Sequence, residues 1–152
     1  MSASLLYRIS SVLLVLFALG HTVGFRQVEP AWNAGSVVSG MQSVSFAVQG
    51  FHRSYWDFFT GFGLFVTIFL VFAAILAWQY GSISREALSV IPVQRWSFAI
   101  CFLLIAVLTW RYFFLAPDVL STLVALGLVG AAWLGGGRQG EFMTRGARQG
   151  TN

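Results

Sequence analysis

The chain has 152 residues, of which 57% are hydrophobic and only 9% are charged. A soluble domain carries about 25% charged residues, so this chain cannot cover its surface for water, and lipid must be its solvent. The formal charge of +4 comes from nine arginines and no lysine; they are scattered, with no groove-reading fold around them, and read as topology signals rather than as nucleic-acid contacts.

The first apolar run is Leu5–Phe25. Arg8 and the small residues Ala18 to Gly20 imitate a secretory signal, but the apolar character continues through Val23 and Phe25, too far for a typical one. Residues 26–54 form a polar loop. Within it Val37, Met41, Val44, Val48 and Phe51 recur at steps of four and three, which predicts a short amphipathic helix over 36–50. The second run is 55–80. The loop 81–95 follows, then a third run over 96–116, a tight turn at Ala116–Asp118, and a fourth run over 117–136 opened by Pro117. The tail 137–152 is Gly- and Arg-rich, with little to bury, and is expected to be mobile.

Each run approaches or exceeds the ~20 residues that cross a ~30 Å hydrocarbon core. None alternates as a membrane strand would, and hydrocarbon obliges every backbone amide to pair internally. The expected fold is an all-α membrane protein, a four-transmembrane-helix bundle over 1–136 with a short amphipathic helix in the first outer loop. Arg8, Arg85, Arg95, Arg138, Arg145 and Arg148 share one side and Arg26, Arg53 and Arg111 the other, so the positive-inside rule places both termini in the cytoplasm. Tyr55, Trp56, Trp110 and Tyr112 would then form the outer aromatic belt.

The polar residues inside the spans gather at the predicted outer ends. His21, Asp57, Arg111 and Asp118 supply one ionisable group from each span, and the inner two-thirds has none. Arg53, Asp57, Thr60 and Thr67 follow helical spacing. Gly61 lies near that stripe, and Gly20 and Gly24 flank His21 in a GxxxG arrangement that permits close helix approach in lipid. Intramembrane charges usually face inward and pair. The expected cluster is His21, Arg53, Asp57 and Arg111, with an Asp57–Arg53 ion pair at its centre, Asp118 and His52 at its rim, and Arg26 or Glu29 reaching in from the loop. Each member also has a structural role open to it: Asp118 serving a helix dipole, Arg111 snorkelling to headgroups, His21 bonding across helices.

Chemical motifs are mostly absent. The single cysteine, Cys101, allows no internal disulfide and no CxxC site, and no HExxH, GxSxG or phosphate-binding loop appears. His21, His52 and Asp57 have metal-ligand chemistry without diagnostic spacing. No cofactor is expected.

The stretches "GHTVGF" (20–25), "RSYWDFFTGFGLF" (53–65) and "WRYFFLAP" (110–117) together resemble an uncharacterised family of small bacterial four-span membrane proteins. The resemblance covers most of residues 5–135. It implies the span count and a bacterial cytoplasmic membrane, and it marks His21, Arg53, Asp57 and Arg111 as polar motif positions without lending them an activity. A similarity to four-helix families of the DoxX type is topological only and carries no function.

From these residues the leading expectation is a non-enzymatic membrane protein that binds a small amphipathic or anionic ligand, or a lipid headgroup, in a polar pocket. Arg53 and Arg111 would hold the anionic group, Asp57 would orient Arg53 and His21, and Trp56, Trp110 and Tyr112 would wall the site. Two other classes fit the same pattern: a membrane enzyme or haem or quinone redox protein using His21 and Asp57, and a structural subunit of a homo-oligomer or membrane complex. Beyond these the expected partner is the lipid bilayer, with no nucleic acid.

Overall fold

The computed structural model describes residues 2–27 and 30–136. Among them, four helices are long and apolar enough to cross a membrane: α1 (Ala3–Gly24), α3 (Tyr55–Ser82), α5 (Pro92–Tyr112) and α6 (Leu115–Leu134). The chain is an all-α multi-pass membrane protein, as its apolar runs require. Four smaller features complete the described residues: a 3-10 turn at Pro30–Trp32, the helices α2 (Gly35–Ser43) and α4 (Arg85–Ser89), and a hairpin of β1 (Ser45–Val48) with β2 (Phe51–Ser54). Glu29 and the tail 137–152 lie outside the described residues.

Two boundaries differ from the sequence reading, both because of proline. Helix α5 starts at Pro92, whose fixed φ suits a first helical position, so Arg95 belongs to the span and not to the loop. It ends at Tyr112 because a helix running into Pro117 would drive that ring against the Phe113 carbonyl. Phe113 and Phe114 are extended instead. Pro117 then sits in the first turn of α6, where its missing N–H costs no bond.

Among the described residues the packing divides the chain into two compact units, 2–14 with 73–136, and 15–27 with 30–72. The first unit brings together segments of all four spans. Small residues set the contacts: Ser4 Oγ donates to the Gly81 carbonyl, and Ser11 Oγ donates to that of Ala74 at 2.7 Å. A Cβ on Gly127 would lie 2.4 Å from Ser10 Oγ, so α1 and α6 approach closely at this glycine. Tyr7 is fully buried edge-on to Tyr80, centroids 5.4 Å apart. Helices α5 and α6 form a hairpin laced by Thr109 to Ser121 at 2.7 Å and Trp110 Nε1 to Thr122 Oγ1 at 2.9 Å. Before it, Ser84 caps α4 by accepting from the Ala87 N–H at 3.2 Å. The Glu86 carboxyl is held below the usual glutamate range by its own backbone N–H and then by the Ser84 hydroxyl.

The second unit, 15–27 with 30–72, contains the rest of α1 and α3 with the loop between them. Here the predicted 36–50 helix is divided. It ends at Ser43, and Val44 to Ser54 forms the hairpin, with Ser45 opposite Ser54 and Val48 opposite Phe51. The two-residue connection Gln49–Gly50 has positive φ at both positions, +51 and +87, the backbone of a type I′ turn. Val44, Phe46 and Val48 alternate, and β-branched and aromatic residues favour a pleated strand over a helix. Phe46 anchors the hairpin on the start of α3, with its ring 5.2 Å from those of both Tyr55 and Phe58.

Candidate functional site

The segment from Arg53 to Phe65 joins β2 to α3, and the junction explains Asp57. Ser54 precedes the first helical residue. Its Oγ accepts from the Asp57 N–H at 3.2 Å, while Asp57 Oδ2 accepts from the Ser54 N–H at 2.8 Å. This reciprocal capping box satisfies two donors that a helix start leaves unpaired. The expected Asp57–Arg53 ion pair is not formed. Arg53 Nη1 donates to the His52 carbonyl at 2.7 Å, and its guanidinium lies 5.4 Å from the Phe51 ring centre. Spacing of four residues implied a helical pair, but Arg53 is in a strand, so that geometry does not apply.

His21 does not meet Asp57 either. Its Nε2 lies 3.0 Å from the Gly63 carbonyl, and a carbonyl can only accept, so Nε2 carries the proton. The imidazole stacks on Phe25 at 5.2 Å; Phe25 continues to Phe59 at 6.0 Å, and Phe59 to Trp56 at 5.4 Å. His21 and Trp56 thus belong to one aromatic row. Gly63 makes the row fit, since a Cβ there would fall 2.4 Å from the Phe25 ring. Gly20, Gly24 and Gly61, where close approach was expected, have nothing within 4 Å of such an atom. Thr67 bonds to Thr22 at 3.0 Å, and so turns away from the face that carries Asp57.

That other face of α3 borders a groove of about 410 Å³. The hairpin supplies Phe46, Val48, Gln49 and Phe51; α3 supplies Phe58, Gly61, Phe62 and Phe65; Arg53 and Asp57 are the charged residues of the lining. Most of its surface is aromatic or aliphatic, with charge confined to one short stretch of chain. The volume falls in the ~300–1,000 Å³ range of small-molecule sites. A helix of 28 residues is roughly 42 Å long, longer than a ~30 Å hydrocarbon core.

The remaining predicted residues have other surroundings. Trp110 donates to Thr122, and the Arg111 guanidinium lies 5.4 Å from the Tyr112 ring centre; both belong to the first unit. His52 is exposed on β2 opposite Ala47, and Arg26 lies over Phe25. Among the described residues no group of three His, Cys, Asp or Glu side chains could hold a metal ion, so the His21–His52–Asp57 set is not assembled.

Two buried polar residues were missed or undervalued. Arg95 is 2% exposed in the first unit, where Nη1 donates to the Ala132 carbonyl at 2.7 Å and Nε has no partner. It adds a buried ionisable group near the start of α5, and Pro92 was the signal that would have found it. Asp118 is 6% exposed in the first turn of α6, with Oδ1 unpartnered. Its place in the first turn of α6 suits the helix dipole, from a buried position.

Compared with family models, with curated proteins and with solved structures, the chain matches none.

Proposed function

We propose that this four-span protein binds a membrane amphiphile in the groove of residues 46–65. The apolar chain runs along Phe58, Phe62 and Phe65, and an anionic headgroup meets Arg53. The single observation that carries this reading is the lining itself, an aromatic channel with Arg53 among its few charged groups. Arg53 uses one donor on a neighbouring carbonyl, and a guanidinium has five N–H groups in a fork suited to phosphate. Gly61 leaves the channel wall open, with free space where a Cβ would stand. The same proposal places the protein in a bacterial cytoplasmic membrane with both termini inside, from the arginine asymmetry and the resemblance of its motifs, so that the groove opens at the outer face.

Native mass spectrometry of the purified protein tests it. Wild type should carry lipid. Gly61→Leu, which fills open space without a clash at its Cβ, should fold but lose the adduct. Arg53→Gln should weaken it for phosphate-bearing lipids. Retention of lipid by Gly61→Leu at the wild-type level would overturn the site. Reporter fusions at Asn152 and in residues 36–43 should read cytoplasm and periplasm; the reverse would overturn the orientation alone.

A further inference from the structure

We infer that the groove selects a zwitterionic, amine-bearing phospholipid headgroup, with the phosphate at Arg53 and the ammonium at Asp57; this rests on the groove being a lipid site. The two residues are four positions apart at the charged part of the lining, one cationic and one anionic. Had they formed an ion pair, the site would offer a neutral end to any ligand. No ion pair forms between them: Arg53 is turned to the His52 carbonyl, and Asp57 is engaged with Ser54, whose backbone N–H donates to Oδ2. Asp57 Oδ1 retains its acceptor capacity, and the outer N–H groups of Arg53 retain theirs as donors. An anionic lipid would satisfy Arg53 but bring its second negative or neutral group against a carboxylate. A headgroup with its own dipole, phosphate followed by ammonium, complements both charges at once.

The helix cap is the competing use of Asp57, and chemistry separates the two. Asparagine at the third helical position can still accept the Ser54 N–H through its side-chain carbonyl, but has no charge to hold an ammonium. Glutamate at the third helical position keeps the charge and suits a capping box. The experiment offers delipidated protein equal amounts of phosphatidylethanolamine and phosphatidylglycerol with matched acyl chains and counts the adducts by native mass spectrometry. Wild type should prefer the ethanolamine lipid roughly two- to fivefold, the range of a partly exposed ion pair. Asp57→Asn should still bind lipid but lose the preference, and Asp57→Glu should keep it. Equal binding of the two lipids by wild type, or an undiminished preference in Asp57→Asn, overturns the inference while leaving the lipid site in place. Failure of wild type to bind either lipid overturns both.

Discussion

Gly63 gives the sharpest test of the second unit, because its substitution should change sign with its neighbour. A Cβ at position 63 would stand 2.4, 2.5 and 2.8 Å from three atoms of the Phe25 ring, whereas carbon atoms rest at ~3.5–4.0 Å. The ring must retreat by about 1 Å or more to restore that separation. It cannot do so alone, since it stacks on His21 and touches Phe59. Overpacking of this kind costs about 1–3 kcal/mol. Against it, alanine is a better helix former than glycine by about 0.8–1.0 kcal/mol. Gly63→Ala should therefore destabilise by up to about 2 kcal/mol when Phe25 is present. With Phe25→Ala in the background the clash is gone and the same substitution should stabilise by up to about 1 kcal/mol. Unfolding in mixed detergent–SDS micelles, followed by helical circular dichroism, reads both arms of the cycle. A Gly63→Ala protein as stable as wild type or more so, together with no coupling to Phe25, would refute the packing described for the His21 row.

Ser54→Ala should cost about 1 kcal/mol through loss of the α3 cap, seen as faster hydrogen exchange at the Asp57 amide, while Arg53→Gln leaves that amide unchanged; equal effects would restore the ion-pair reading. Gly127→Ala should destabilise the first unit by about 1–3 kcal/mol, and Ser10→Gly should recover part of the loss because Ser10 Oγ is the atom met. Simple additivity of the two would show that α1 and α6 do not meet there. Glu86 has a lowered pKa, so its ionised form favours the folded helix: it contributes stability above the ordinary glutamate pKa, and that contribution is lost as pH falls through the folded value. Protection factors within α4, with the intrinsic pH dependence of amide exchange divided out, should fall on acidification in wild type and lose that fall in Glu86→Gln.

The spans were legible because hydrocarbon leaves one solution for a long apolar run, and length against bilayer thickness decides it. Their ends were less so, since apolar residues continue past a helix break and only Pro92 and Pro117 mark where it falls. The hairpin was missed because valines at steps of four and three satisfy a helical template, while Val44, Phe46 and Val48 at steps of two satisfy a strand. The Gln49–Gly50 turn decided between them. The site was read as one cluster because depth along the membrane is visible in sequence and azimuth is not. His21 and Asp57 fall near the same helix end, yet Gly63 and Thr67 commit one face of α3 to α1, and Phe58, Gly61 and Phe62 commit another to the groove.

That separation changes which residue needs a functional explanation. An acid in the first turn of a membrane helix answers two structural demands, the unpaired N–H groups and the positive end of the dipole, and Asp57 meets both through Ser54. Its presence alone is not evidence of a ligand. Arg53 and Gly61 have no such account. The Arg53 side chain is exposed, lies over the Phe51 ring and hydrogen-bonds only to the adjacent carbonyl. Gly61 costs its helix about 1 kcal/mol relative to alanine while accommodating no neighbour within 4 Å. If the fold were the whole purpose of this segment, Gly61→Ala should be a gain with no penalty and Arg53→Gln should be neutral in every assay. If the groove is occupied, both should leave stability intact or improved and still reduce bound lipid, whereas Ser54→Ala should lower stability and leave the lipid in place. A variant series in which bound lipid simply follows stability, with Ser54→Ala losing most and Arg53→Gln nothing, would assign the whole segment to the helix cap.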